Sequence, residues 1–297
     1  MLQAALLRPY VTLPTDAGGA WSARDVVIFA PDQGSGLSRV QAAGGMPAQI
    51  THLRQSQEPF SDRWPAFLPD GRHFLFWGGN PDAPNAPNTG IFLGALDSTE
   101  AKFLVQADSN ALYAPPGYLL YLRGETLMAQ PFDAGSLKLN GDAFPLAEHV
   151  PSPAAYRLGF FTVSRTGLLA YETGQGANRQ FLWVDVRGNK LGTVGEPGDQ
   201  LGPRLSPDGA RLAYVLQDPQ SKNADIWVMD IARGVRTRLT FDPAVDILPV
   251  WSPDGSHIVF SSNRKGYYDL YVKNGCGQRR IAVWVRRRGQ VSERLVS

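Results

Sequence analysis

Short apolar runs alternate with polar turns along most of this chain, and the 3.6-residue apolar period of amphipathic helices is absent. The clearest example is Leu248–Phe260, where two apolar runs flank the turn Ser252-Pro253-Asp254-Gly255. In such a turn proline presets φ, aspartate hydrogen-bonds nearby backbone, and glycine accepts a positive φ. The flanking residues are β-branched or aromatic, as strands prefer. The pattern predicts a β-hairpin, which would be marginal in water unless copies of it pack together.

Copies of this turn recur along the chain. Their glycines are separated by 46, 50, 42 and 46 residues, and they are Gly71, Gly117, Gly167, Gly209 and Gly255. A degenerate copy that lacks the glycine, Trp21–Asp25, lies one repeat upstream. A period in the forties with four strands per unit is typical of propeller blades. We therefore predict an all-β propeller of about six four-stranded antiparallel blades over residues 20–273, without an evident outer strand in the last blade.

Both ends depart from the repeat. Residues 1–19 form an N-terminal segment with one candidate closing strand, Tyr10–Leu13. Residues 274–297 are expected to form an irregular basic tail, since from residue 279 onward the chain has six arginines and one glutamate. Within that tail Ile281–Val285 has the composition of a strand. We expect it to pair weakly as the outer strand of the sixth blade, next to the least stable seam of the ring.

Composition excludes several classes of protein. The chain is 43% hydrophobic with 31 glycines and 23 prolines, which indicates a globular, turn-rich fold. A net charge of +2 gives no reason to expect nucleic acid, and no apolar run is long enough to span a membrane. The first ten residues make a poor secretion signal. A single cysteine, Cys276, and four scattered histidines suggest neither a disulfide nor a metal site, so no metal or cofactor is expected.

Catalytic motifs are missing from the sequence. There is no Gly-x-Ser-x-Gly nucleophile elbow, and nothing matches the glycine-rich loop, His-Arg-Asp or Asp-Phe-Gly motifs of protein kinases. Two short glycine motifs, Gly34-Ser35-Gly36 and Gly174-Gln175-Gly176, lack the lysine and third glycine of phosphate-binding loops. We interpret them as ordinary loops, and we expect the chain not to be an enzyme.

Three aspartates recur nine residues before a turn glycine, namely Asp62, Asp108 and Asp246. One interpretation is that each caps the loop that leads into its blade by accepting hydrogen bonds from nearby backbone. The other is a ring of carboxylates at one mouth of the central channel, which would attract a cation or a basic peptide. The sequence leaves both interpretations open.

Two sets of segments resemble known propellers. Pro203–Thr240 and Pro249–Val272 resemble TolB-type WD-like repeats. Arg63–Phe76, Tyr113–Leu120 and Thr126–Phe132 more closely resemble the propeller region that follows bacterial serine/threonine protein kinase domains. This resemblance implies a non-catalytic binding module, the sensory or scaffold part of a bacterial signalling protein. It also implies an extracytoplasmic location, although this chain shows neither a signal peptide nor a membrane span.

Two alternatives remain at this point. The chain resembles the propellers that gate substrate access in prolyl-oligopeptidase-like peptidases, here without the hydrolase domain, and it resembles TolB-like periplasmic scaffolds. The expected partner is a protein or peptide, or a small molecule at the channel mouth, and not nucleic acid. We expect a monomer.

Overall fold

A computed structural model describes residues 18–31, 34–53, 60–83, 86–153, 156–173, 179–185, 188–266 and 268–275, together with the backbone of strands 281–287 and 290–296. Within these residues the secondary structure consists of strands and turns, with no α-helix. In this part of the chain no helix has the length and apolar character needed to cross a bilayer. The predicted strand Tyr10–Leu13 lies outside the described residues.

The first three sheets follow one another along the chain and are antiparallel; strands pair in chain order, except that in the third sheet the last two strands both pair with the third. Blade one contains β1 (Gly19–Trp21), β2 (Val26–Phe29), β3 (Ser38–Gln41) and β4 (Gly44–Gln49). Blade two contains β5 (Ser61–Phe67), β6 (His73–Gly79), β7 (Gly90–Ala95) and β8 (Ser98–Gln106). Blade three contains β9 (Leu112–Ala114), β10 (Tyr118–Arg123), β11 (Thr126–Asp133), β12 (Lys138–Leu139) and β13 (Phe144–Ala147).

The second half of the chain repeats this arrangement. Blade four contains β14 (Phe161–Val163), β15 (Leu169–Thr173), β16 (Arg179–Val184) and β17 (Lys190–Gly198). Blade five contains β18 (Gln200–Leu205), β19 (Arg211–Gln217), β20 (Ala224–Asp230) and β21 (Val235–Arg238). Blade six contains β22 (Asp246–Trp251), β23 (His257–Ser262), β24 (Asp269–Asn274), β25 (Ile281–Arg287) and β26 (Gln290–Val296).

The first strands of the six sheets surround one axis. β1, β5, β9, β14, β18 and β22 are neighbours in chain order, and β22 in turn lies beside β1. The sheets therefore form a closed ring with their first strands innermost. The predicted six-bladed, all-β propeller is confirmed.

Hydrophobic cores lie between blades rather than within them. Ile28 and Leu37 of blade one pack with Phe74, Phe76 and Phe92 of blade two. Equivalent clusters join blades two and three, three and four, four and five, and five and six. A blade thus buries its apolar faces only against its neighbours, as expected for repeat architectures.

The interface between blades six and one differs from the other five. Among the described residues it has no comparable buried cluster, and a small cavity of about 30 Å³ lies there instead. Residues of both blades line this cavity, including Val27, Phe29, Val250 and Leu270. Unfilled space forfeits packing energy. That this seam is the least stable part of the ring remains a prediction, now with a physical reason.

The C-terminal segment contributes strands to blade six. The strand expected over Ile281–Val285 is present within β25, which pairs with β24 through Leu270 and Trp284. It is followed by a strand that the sequence analysis did not predict, β26, which pairs with β25 and lies beside β4 of blade one. Two described stretches of the tail that was expected to be irregular, Ile281–Arg287 and Gln290–Val296, are therefore strands. The β-branched and aromatic residues between the arginines favour this conformation.

Four of the five glycine turns have the predicted positive φ, whereas Gly117 of blade three keeps the turn hydrogen bond without it. Gly71, Gly167, Gly209 and Gly255 have φ values of 63°, 85°, 74° and 69°. In each turn the glycine N–H donates to the carbonyl three residues earlier, at 2.9–3.1 Å. In blade one Asp25 takes the glycine position, with φ 55° and a bond to the carbonyl of Ser22. The degenerate copy is therefore a true sixth turn, since aspartate is among the residues that best tolerate this conformation.

Replacing a turn glycine should destabilise the fold. At Gly209 the positive φ is unfavourable for any β-carbon, and that carbon would lie 3.2 Å from Thr166 Oγ1. We expect Gly209→Ala to lower the free energy of unfolding by about 1–2 kcal/mol in urea denaturation. Gly198→Ala is the control, because its φ is not positive and its new carbon would make an ordinary 3.8 Å contact. Equal losses in both variants would contradict the role assigned to φ.

Candidate functional site

A central cavity of about 550 Å³ occupies the middle of the ring. Turn residues of all six blades line one end of it, on the face that carries the Ser-Pro-Asp-Gly turns. We call this cavity the funnel. Its walls are mainly apolar and aromatic, and they include Trp21, Trp64, Leu112, Tyr113, Leu158, Val163, Leu248, Val250 and Trp251. The volume lies within the range of sites that bind small ligands or short peptide segments.

One position of the repeat contributes to the inner wall in four of the six blades. It lies seven residues before the turn glycine, or before Asp25 in blade one. The residues there that line the funnel are Gly18, Trp64, Asn110 and Leu248, whereas Phe160 and Gly202 occupy the same position without lining it. Trp64, Gly202 and Leu248 each precede a proline and have φ values of 54°, 60° and 55°. The strand register shifts at all three places. Because proline has no N–H to donate to the ladder, a β-bulge forms there.

The bulge of blade two places the Trp64 indole at the base of the funnel. Its ring lies against Gly18, where an added β-carbon would be 2.3 Å from the ring. Its Nε1 donates to the carbonyl of Tyr156 at 2.6 Å. Tyr156 belongs to the connection between blades three and four, which also places Leu158 in the funnel wall. This connection therefore supports the funnel at the end opposite the turns.

Among the described residues that line the funnel, two are charged, and both are arginines. Arg165 is exposed at the mouth, where its Nη1 donates to the carbonyl of Pro253 at 3.2 Å. Arg204 lies on the inner strand of blade five, and its Nη1 donates to the adjacent carbonyl of Pro203 at 2.9 Å. Burial lowers the pKa of Arg204 to about 10. In the described part of the chain no carboxylate pairs with it.

Two of the three predicted carboxylates are completely buried. Asp62 accepts a 2.6 Å hydrogen bond from Thr51 Oγ1 at the end of blade one. Asp246 is paired with Arg264, whose Nη2 lies 3.0 and 3.1 Å from its two oxygens. Burial raises the pKa of Asp246, and hydrogen bonds with Ser262 and the charge of Arg264 oppose that shift. Asp62 therefore links the inner strand of blade two to the end of blade one, and Asp246 links the inner strand of blade six to the turn that carries Arg264.

Asp108 also has a local partner, because its Oδ2 accepts a 2.8 Å hydrogen bond from the backbone N–H of Gly124. None of the three aspartates is among the residues that line the funnel. In blades two and six the bulge lies between the aspartate and the turn, which changes the alternation of inward and outward side chains. These contacts agree with the loop-capping interpretation; a carboxylate ring remains untested as a binding site.

Within the described residues no group of three or more His, Cys, Asp or Glu side chains could hold a metal ion. The strongest titratable cluster lies in blade four. Glu172 is fully buried, and Arg179 Nε is 2.9 Å from its Oε1 and Arg179 Nη1 is 3.3 Å from Asp199. Burial raises the pKa of Glu172 to about 8, although the charge of Arg179 opposes the shift. Since Glu172 does not line the funnel, we interpret this network as structural.

The Glu172 network should make stability depend on pH. Between its ordinary pKa of 4.5 and the folded value of about 8, folded Glu172 retains a proton that the unfolded chain releases. Stability should therefore fall as pH rises through this window. We expect Glu172→Gln to gain stability relative to the wild type between pH 5 and pH 8 in urea titrations, whereas exposed Glu196→Gln should not. Parallel pH curves for wild type and Glu172→Gln would contradict the assignment.

The residues that line the funnel were not among the candidates predicted from the sequence. Those candidates are aspartates nine residues before the turn, whereas in four blades the funnel wall includes the residue two positions later. A signal was present in the sequence: Trp64-Pro65, Gly202-Pro203 and Leu248-Pro249 recur at multiples of the 46-residue repeat. No repeated motif in the sequence indicated Arg204, because the residues at the same repeat position in blades two and six are Ala66 and Val250.

Comparison with known proteins agrees with this architecture. Residues 166–292 match the family model described as PD40, the TolB beta propeller domain. These residues carry TolB-type propeller repeats. The Tol-Pal system protein TolB of Alcanivorax borkumensis is 40% identical over 160 residues, which cover 50% of this chain and 35% of that protein. The uncharacterized peptidase YuxL of Bacillus subtilis is 35% identical over 68 residues, covering 22% of this chain and 10% of that protein.

A solved structure shows the same fold. The crystal structure of TolB from Acinetobacter baumannii superposes with a TM-score of 0.67 at 15% identity, covering 94% of this chain and 65% of that chain. At this identity the likeness concerns the fold alone. The chain matches about a third or less of the length of the two curated relatives named above.

Proposed function

We propose that this chain is a non-catalytic binding propeller whose funnel holds part of a protein partner. The observation that carries the proposal is the funnel itself, a cavity of about 550 Å³ walled by aromatic and aliphatic side chains. An apolar cavity with a few polar groups is the usual form of a ligand site. Its position at the ring centre gives a ligand contact with inner strands of several blades at once.

The TolB-type repeats support a protein partner rather than a reaction. One relative is named as a component of the Tol-Pal system, and that name belongs to TolB and not to this chain. The titratable cluster of blade four also agrees with a binding role, since its buried Glu172 lies outside the funnel and contacts Arg179. We therefore favour a scaffold role of the TolB type.

The finer proposal is a sensory or scaffold module of a bacterial signalling protein that also contains a serine/threonine kinase. It rests on the sequence resemblance of Arg63–Phe76 and Thr126–Phe132 to the propellers of such kinases. In that setting a ligand in the funnel would be the signal. A kinase reading frame upstream in the same gene would support this proposal.

A second candidate is the gating propeller of a peptidase. The observation that favours it is the 35% identity over 68 residues with a protein named as a peptidase. In that setting the funnel would be the path by which substrate reaches a separate hydrolase domain. A hydrolase reading frame downstream would favour this candidate over the signalling module.

Crosslinking through the funnel mouth tests the binding proposal. Ala23 is exposed and lines the mouth, so a photoreactive amino acid placed there should capture the partner. The same group at Ala232, an exposed turn residue outside the funnel, should not. The captured protein is then purified and its affinity for the propeller is measured by calorimetry.

A blocking variant completes the test. Ala66 lines the funnel, so Ala66→Trp should fill part of it and weaken binding of the purified partner at least tenfold. Ala232→Trp adds the same side chain outside the funnel and should bind as the wild type does. Unchanged affinity in a folded Ala66→Trp variant would contradict the proposal.

A further inference from the structure

We infer that the funnel recognises a carboxylate on an otherwise apolar peptide segment, and that Arg204 is the cation that binds it. This inference rests on the proposed function, because it names the ligand chemistry of the same cavity. It adds a charge requirement that an apolar cavity alone would not have.

The position of Arg204 is the first argument. Its guanidinium lies among apolar walls and has one partner in the described part of the chain, the carbonyl of the preceding Pro203. Two other arginines of this propeller, Arg179 and Arg264, are paired with the carboxylates of Asp199 and Asp246, whereas buried Arg157 donates to the backbone carbonyl of Pro81. Arg204 is half-buried, and a charge held among apolar walls without a counter-ion is costly. A ligand that carries the opposite charge would offset this cost.

Asn110 provides an independent second observation. It lines the funnel and is only 3% exposed. Its Oδ1 accepts a 2.8 Å hydrogen bond from the N–H of Gly159, which fixes the orientation of the amide. Its Nδ2 is therefore a donor, and it has no partner among the described residues. A donor without an acceptor on a buried side chain, in the same cavity as a guanidinium without a counter-ion, favours a ligand that carries oxygen acceptors.

The charged side chains at the mouth do not act as counter-ions for Arg204. The turn aspartates Asp70, Asp208 and Asp254 lie on the same face, but each accepts hydrogen bonds within its own turn. They are exposed, so solvent and salt screen them. Among the residues that line the funnel itself, both charged groups are positive. Within the described part of the funnel a carboxylate therefore meets two basic side chains and no acidic one.

Matched peptide pools test the charge requirement. One pool of N-acetyl tetrapeptide amides has glutamate fixed at the third position, and the other has glutamine there. Both are passed over the immobilised chain and the retained amounts are compared. A hydrogen-bonded ion pair in a low-dielectric site corresponds to roughly tenfold or more in affinity. The wild type should retain the glutamate pool at least about tenfold better.

Variants assign the preference to Arg204. Arg204→Gln should lose the preference, whereas Arg233→Gln, which removes the same charge from an exposed turn of the same blade, should keep it. Arg204→Lys keeps the charge without the guanidinium fork and should retain part of the preference, so it decides the outcome if Arg204→Gln does not fold. Free N-acetylglutamate should compete only weakly with the peptides. Competition at equal affinity would overturn the peptide part of the inference.

The remaining outcomes separate this inference from the proposed function. Equal retention of both pools by the wild type, lost in Ala66→Trp, would overturn the role of Arg204 and leave the funnel as a binding site. A preference for the glutamate pool that persists in Arg204→Gln would also overturn the role of Arg204 and leave the funnel as a binding site. If neither pool is retained above the level of Ala66→Trp, both the inference and the proposed function fail.

Discussion

The structure depends on burial between blades. Every sheet of this propeller presents apolar residues on its faces, and these find partners only on the next sheet of the ring, as Ile28 does with Phe74 and Phe76. A single blade would expose those faces to water, so the repeats are stable only together. The ring closes because each sheet must bury both of its apolar faces. This burial is least complete between blades six and one, where the small cavity lies.

The funnel is a consequence of the same closure. Six inner strands around one axis leave a central space, and proline residues after Trp64, Gly202 and Leu248 interrupt three of those strands. The bulges direct the residue before proline towards the axis in blades two and six, while Gly202 leaves open space in blade five. Local proline chemistry thus shapes a site that the repeat pattern alone would make symmetrical.

Much of the fold could be predicted because turn chemistry and strand alternation are local. The turns at Gly71, Gly209 and Gly255 follow from four adjacent residues, and the blades follow from their spacing. The site could not be predicted equally well, because a bulge changes which side chains face inward. Asp62 and Asp246 were candidates both for loop caps and for a carboxylate ring at the channel mouth, and in the folded chain they contact Thr51 and Arg264. Lack of a counter-ion, as at Arg204, is a property of the folded chain that sequence does not show.

Hydrogen exchange with and without the partner captured at the funnel mouth tests the central claim most directly. If the funnel is the binding site, amides in the turns at residues 68–72, 206–210 and 252–256 should exchange more slowly in the complex, because these turns surround its mouth. Loops of the opposite face, at residues 218–223 and 263–266, should exchange at unchanged rates. Protection confined to that opposite face would contradict the account.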